Sequence, residues 1–291
     1  METAKNRKPQ QKKSSLTRET WHRLKKNRLA MIGLFIILFL IIVAIFAPLI
    51  APFHYDDQNI GGLLEFPSKE FPFGTDNFGR DIFSRMIYGS RISLSVGFIS
   101  VVFSSIIGCL LGAIAAYYRK FDNILMRLID IIAGIPYLLL AIAISAALGT
   151  GLRNIIIAVG ISAVPAYARI TRATFLTIQE TEYIEAARSI GANNFRIIMK
   201  HIFPNSLSPI IVQATLSCGN AIVLAAALSF MGLGIQPPSP EWGAMLSAGR
   251  IFIRDYWHMT VIPGVALIIV VYSLNTLGDG LRDALDPRLK N

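Results

Sequence analysis

Charge and cysteine are what this chain has least of. Asp, Glu, Lys and Arg make up 16% of its 291 residues, against 53% hydrophobic, and the mean hydropathy is positive. That composition excludes a disordered chain and argues against a water-soluble domain, because so much apolar surface needs a nonpolar solvent. The two cysteines, Cys109 and Cys218, both fall inside apolar runs, which speaks against a disulfide framework or a zinc site; small packing residues are the default. Catalytic signatures are missing too. There is no GxxxxGK[ST] phosphate loop, GxSxG elbow or HExxH helix, and no filter-like TVGYG run of a channel. The histidines, His22, His54, His201 and His258, are scattered along the chain. Asp279 in LGDGLRD would need a second acid in the membrane to form an aspartyl site, and Asp130 is the sole candidate. Both read better as span-end carboxylates, with Asp130 near Arg127 and Asp279 near Arg282.

What the chain has in abundance is long apolar runs. Crossing the hydrocarbon takes about 20 apolar residues in a helix, and six runs meet or approach that: Leu29–Ala51, Ile92–Tyr118, Ile131–Leu148, Ile155–Ala168, Ile210–Ile235 and Val261–Leu277. The fourth is short, so its ends should extend through Arg153 and Thr174. The fold class is therefore all-α, a polytopic membrane protein of six transmembrane helices. A five-helix core fills 92–281, and the N-terminal span, 29–51, looks peripheral to it. That span is too long for a signal-peptide core and has no small-residue cleavage pattern after it, so it should remain as an anchor. Placing both termini in the cytoplasm puts 21 of the 28 lysines and arginines inside, as the positive-inside rule asks. The basic tail 1–28 accounts for most of the formal charge of +10; it reads as a membrane anchor near anionic headgroups rather than as a nucleic-acid site. Residues 52–91 become an extracytoplasmic segment and 282–291 a short cytoplasmic tail.

Within the spans, small residues recur every fourth position at Ser100, Ser104, Gly108, Gly112 and Ala116, and again at Ser217, Ala221, Ala225 and Ser229. Such stripes let helix backbones approach closely in lipid, either within the chain or against a second subunit. Ser208 and Pro209 suit a sharp start to the fifth span, while Pro136 and Pro165 should kink the third and fourth. Gln213, Ser217, Asn220, Ser273 and Asn275 are candidates to line a solute path; interhelical hydrogen bonds account for them equally well. In the outer segment, Asp76, Arg80, Asp81, Arg85 and Arg91 serve either pairing within that segment or docking of an external protein.

One polar interruption is too patterned for a connector. Glu182–Asn205, EYIEAARSIGANNFRIIMKHIFPN, places apolar residues at Tyr183, Ala187 and Ile190, then at Phe195, Ile198, Met199 and Ile202. This is helical spacing in two short amphipathic helices. Gly191 suits a left-handed helix end, and Asn193 or Asn194 can cap the helix that follows. The apolar face is expected to pack under the spans.

This segment resembles the EAA loop of permease subunits of bacterial binding-protein-dependent ABC importers. Glu185, Ala186, Ala187 and Gly191 fit that pattern, and Ile202 and Pro204 close it; His201 and Phe203 depart from it. FGTDNFGRDIFSRMIYGSRISLSVG, ALSFMGLGIQPPSPEWGAML and NTLGDGLRDALDPRL resemble the C-type permease subunit of dipeptide, oligopeptide and nickel importers. The resemblance implies a bacterial inner-membrane location and a heterodimer with a B-type permease. It further implies one or two cytoplasmic ATPase subunits and an extracytoplasmic solute-binding protein. This chain would be non-catalytic and bind no cofactor, with ATP and Mg held by the partner ATPases. Glu185, Ala186, Ala187, Arg188, Gly191, Arg196 and Pro204 would form the coupling contact, and the cargo would be short peptides, or alternatively nickel or a metal chelate. A membrane channel or membrane-bound enzyme is the reading of another class.

Overall fold

The computed structural model describes residues 16–285; the expectations for the tail positions 1–15 and 286–291 lie outside it. Its helices, in chain order, are α1 (Leu16–Leu24), α2 (Arg28–Ile45), α3 (Ala47–Ile50), α4 (Ile82–Tyr117), α5 (Arg119–Ala133) and α6 (Tyr137–Leu148). There follow α7 (Leu152–Gln179), α8 (Glu182–Ser189), α9 (Asn194–Ile197), α10 (Phe203–Phe230), α11 (Trp242–Gly249) and α12 (His258–Leu285). Among the described residues there is no strand, only an isolated bridge between Thr75 and Asp81.

Among the described residues five stretches are long and apolar enough to cross a membrane: α2, α4, α7, the continuous helix Asn194–Phe230, and α12. A sixth crossing requires counting α5 and α6 together, and these meet at an 88° bend. The third apolar run is therefore not one straight span. Pro136 cannot donate a backbone bond and restricts Ile135, so Ile131–Ala133 end one helix and Tyr137 starts another. Two ion pairs hold α5 against α7: Arg172 grips Asp122 through two nitrogens at 2.6 Å each, and Arg169 reaches Asp130 at 2.7 Å. Asp130 thus takes Arg169, rather than Arg127, as its partner.

Helix α4 starts at Ile82, ten residues before its apolar run. Asp81 caps it, accepting from the Ser84 backbone N–H at 2.8 Å; the polar Ser84, Arg85 and Arg91 disguise these first turns in the sequence. The fifth span also departs from expectation. Pro209 lies inside α10 rather than at its start, and helix continues back through Phe203 and a single π turn at Ile198–Ile202 to Asn194.

Both small-residue stripes are consumed by packing within the chain. Ser100, Ser104 and Ala116 are buried on α4, which lies along α7, and the Ser100 hydroxyl donates to the Ile156 carbonyl at 3.2 Å. A Cβ on Gly108 would stand 2.5 Å from Tyr167 Cβ and 2.8 Å from the Val164 carbonyl oxygen. The α10 stripe, Ser217 to Ser229, is likewise buried. The N-terminal span α2 packs on α12 and α4; a Cβ on Gly33 would meet the Ser273 carbonyl oxygen at 2.6 Å. Helix α11 is wedged between α4, α10 and α12. Its Trp242 is buried and donates from Nε1 to the Met86 carbonyl at 3.1 Å. Glu241 caps α11 through Gly243 and Ala244 N–H groups, and burial pushes its carboxyl above the usual range.

Replacing Gly108 with Leu should cost about 1–3 kcal/mol through overpacking of the α4–α7 contact. Gly264, where a Cβ meets only Leu246 at 3.7 Å, should accept Ala with no loss, or a gain of up to about 1 kcal/mol from helix propensity. Thermal unfolding of the purified protein in detergent checks both, and equal effects would refute the packing account.

Candidate functional site

Helix α8 follows α7 after a single tight turn, in which the Thr181 hydroxyl donates to the Ile178 carbonyl at 2.6 Å. Glu182 and Glu185 occupy its first turn and Arg188 its last, the arrangement the helix dipole favours. It ends in a Schellman motif. Gly191 has φ +80°, its N–H reaches the Arg188 carbonyl at 2.9 Å, and the Ala192 N–H reaches that of Ala187 at 3.1 Å. Nothing lies within 4 Å of a Cβ built on Gly191, so glycine is needed there for its backbone and not for space. Asn193 then caps α9 by accepting from the Arg196 N–H at 2.8 Å.

The inward face differs from the spacing-based expectation. Ile184, Ile197 and Ile202 are buried and cluster with Phe175 and Ala116, and Ala187 is buried as well. Of the anticipated set, only Ala187 and Ile202 are buried, and Ile198 is partly buried against the Phe175 cluster. Tyr183 and Met199 point out, Ile190 is 85% exposed and Phe195 74%. Both faces of this loop carry apolar residues, so periodicity alone does not choose between them; Phe175 at the end of α7 does. The outcome is an outward apolar patch at the Gly191 turn, with Glu185, Ala186, Arg188, Arg196 and Pro204 also exposed along the loop. A patch of this kind with a charged rim is the anatomy of a protein-docking surface. The loop is tied down behind: Tyr117 at the end of α4 donates to the Asn194 side chain at 2.7 Å.

Gln213, Ser217 and Asn220 fall on successive turns of one α10 face and line a cavity of about 570 Å³ with Tyr137 and Ser162. The Gln213 amide donates to the Ser217 hydroxyl at 3.0 Å. Among the described residues no charged side chain lines this cavity. Asn220 is exposed in the middle of an apolar helix, a costly position unless water or a polar partner meets it. Ser273 and Asn275 are not brought to this wall. Ser273 is buried and donates to the Ile269 carbonyl at 2.6 Å, while Asn275 lines a separate groove with Leu267 and Tyr272. Sequence reasoning missed Tyr137 and Ser162; the Pro136 break that aims Tyr137 inward was the available signal.

At the far end of α4 the outer segment forms an ionic cap. Asp76, Arg80, Asp81 and Arg85 are all buried. Asp76 accepts from Arg80 Nε at 2.8 Å and lies 3.6 Å from Arg85 Nε, and Arg85 also donates to the Tyr55 carbonyl at 2.8 Å. These four are engaged within the chain. Arg91 is separate from them, exposed beside α2.

Residues 104–291 match the family described as the binding-protein-dependent transport system inner membrane component. The chain belongs to this family. Residues 15–67 match a second description, the N-terminal transmembrane domain of oligopeptide transport permease C, so α1, α2 and α3 of this permease subunit have a family counterpart of their own. Among curated relatives, the dipeptide transport system permease protein DppC of Alkalihalophilus pseudofirmus is 51% identical over 94% of this chain and 90% of its own length. The di/tripeptide transport system permease protein DppC of Pseudomonas aeruginosa is 44% identical over 94% and 93%. The glutathione transport system permease protein GsiD of Escherichia coli is 45% identical over 94% and 90%. Among solved structures, the inward-facing MetNI methionine ABC transporter aligns with a TM-score of 0.59 at 22% identity, over 70% of this chain and 98% of that one. An amino acid ABC transporter aligns at 0.52 and 16%, over 69% and 94%. These two likenesses show a shared fold.

Asp76→Asn should remove the carboxylate that two buried guanidinium groups share, leaving only Asp56, 3.7 Å from Arg80, a loss of up to about 3–5 kcal/mol for a broken buried pair. Limited proteolysis of segment 51–81 together with the unfolding temperature reads it; wild-type resistance and temperature would contradict the cap.

Proposed function

We propose that this chain is the C-type permease subunit of an ATP-binding-cassette importer for short peptides, forming half of the translocation pathway. The observation that carries this is physical continuity between the loop and the cavity. Phe195 of the outward patch and the polar wall at Gln213–Asn220 sit on one helical unit, Asn194–Phe230. From Phe195 to Asn220 is about 38 Å along a straight helix, so displacement of the loop moves the wall directly.

The loop is the seat of a cytoplasmic ATPase, which binds the ATP and Mg. Ile190 and Phe195 enter an apolar recess of that subunit, and Glu185, Arg188 and Arg196 set its register. Closure of the ATPases shifts α8 and the helix from Asn194 together, tilting the wall and switching access. A B-type permease supplies the other wall, and an extracytoplasmic binding protein delivers cargo to the cap end. Both termini then lie in the cytoplasm, as the distribution of lysine and arginine supports, and the membrane is the bacterial inner membrane.

Peptide cargo is supported by the relatives and by the chemistry of the cavity. Amide and hydroxyl groups at Gln213, Ser217 and Asn220 match the hydrogen-bonding needs of a peptide backbone. A wall without fixed charge does not trap a zwitterion.

Three outcomes test the reading. Phe195→Asp with Ile190→Asp should abolish co-purification of the ATPase and peptide uptake while membrane insertion persists; retained co-purification would refute the docking face. Gly191→Leu forces a branched side chain into left-handed backbone, at about 1–2 kcal/mol, and should uncouple ATP hydrolysis from uptake. Separately, Gln213→Leu with Asn220→Leu should lower uptake of short peptides at least several-fold with normal ATPase assembly. Unchanged uptake would remove these residues from the path.

A further inference from the structure

Arg91 lines a groove between α2 and α4, together with Ile41 and Ile45 of the first and Leu94, Phe98 and Ile99 of the second. Its volume is about 380 Å³, and from Arg91 to Ile99 it runs about 12 Å along the helix. Among the described residues Arg91 has neither an ion pair nor a hydrogen-bonded side-chain partner, in contrast to the neighbouring Arg80 and Arg85. Ser95, one turn further along the same face, also lines the groove.

Depth in the membrane follows from helix geometry. Tyr117, where α4 ends beside Arg119 and Lys120, is about 39 Å from Arg91 along a straight helix. The hydrocarbon is about 30 Å thick, so Arg91 reaches the headgroup layer of the opposite face, level with Ile45 at the end of α2. The groove then descends from the headgroups into the acyl chains. A lone guanidinium at headgroup depth above an apolar furrow fits a phosphate that carries hydrocarbon. The guanidinium fork matches phosphate oxygens in pairs, and its uncompensated charge favours a headgroup of net negative charge.

We propose that this groove binds an anionic phospholipid, with the phosphate held by Arg91 and an acyl chain lying between α2 and α4. The lipid fills the space between the N-terminal span and the core.

The test uses the subunit purified with its partner subunits from nanodiscs of mixed phosphatidylglycerol and phosphatidylcholine, with retained lipid read by native mass spectrometry. Wild type should retain phosphatidylglycerol about five-fold over phosphatidylcholine, the factor one basic residue contributes at an anionic surface. Arg91→Gln should bring the ratio to unity, and Arg91→Lys should restore part of it. Ile45→Trp, which fills the furrow and keeps the charge, should lower retention of both lipids even if the Gln variant assembles poorly. Equal retention of the two lipids by wild type overturns the proposal. So does a preference untouched by Arg91→Gln and Ile45→Trp, or a photo-crosslink from position 99 to another protein subunit in place of lipid.

Discussion

Between Asn194 and Phe230 the backbone stays helical although it carries Pro204 and Pro209. In hydrocarbon an unsatisfied carbonyl costs several kcal/mol, so the proline-bearing stretch has to supply substitutes locally. It absorbs the change of register in one π turn, in which the Phe203 N–H reaches the Ile198 carbonyl, and side chains add donors to neighbouring carbonyls. The Asn205 amide donates to the His201 carbonyl at 2.6 Å and the Ser206 hydroxyl to that of Phe203 at 2.8 Å. Because the helix survives its prolines, the loop and the cavity wall are one body. A break at Pro204 would have made the loop a tethered appendage, able to bind a partner without moving anything.

The same logic explains how the loop is held. Ile184, Ile197 and Ile202 are fully buried around Phe175, each contributing about 1.5–3 kcal/mol of burial, so both halves of the turn are fastened to the end of α7. Gly191 makes the reversal between them cheap in backbone energy. The apolar residues left over, Ile190 and Phe195, stay exposed among the described residues. On a membrane protein whose spans already satisfy lipid, such a patch at a polar loop points to another protein rather than to the bilayer. At the other end of α4, buried Asp76 and its arginines close the cap with internal pairs, leaving Arg91 outside that network.

Much of this was legible in the sequence because lipid imposes a length rule. Runs of apolar residues near 20 marked the spans, and Gly191, Asn193 and the EAA pattern marked the turn and its caps. What was not legible has definite causes. The first turns of α4 are polar because they sit in the cap, so hydropathy placed its start ten residues late. Pro136 was visible, yet whether it bends or breaks a helix depends on α5 being clamped to α7 by Arg172 and Arg169, partners distant in sequence. Pro209 looked like a helix start because local preference favours it there, and continuity from Asn194 overrode it. The loop's inward face was misassigned because both of its faces are apolar and the choice rests on Phe175. Of five polar candidates for the pathway, only the three on α10 share a cavity, since Ser273 is buried with its hydroxyl on the Ile269 carbonyl and Asn275 faces a different groove.

The central claim is that loop and wall move as one rod against the rest of the bundle. Distance measurements by paired spin labels in the assembled transporter, in a cysteine-free background, test it directly. One pair sits within the helix, at Arg196 and Val223; the other joins Val223 to Ile99 on α4. Across the ATP cycle the account predicts a fixed distribution for the first pair and a shifted one for the second. A shifting distance from Arg196 to Val223 with an unchanged distance from Val223 to Ile99 would contradict it.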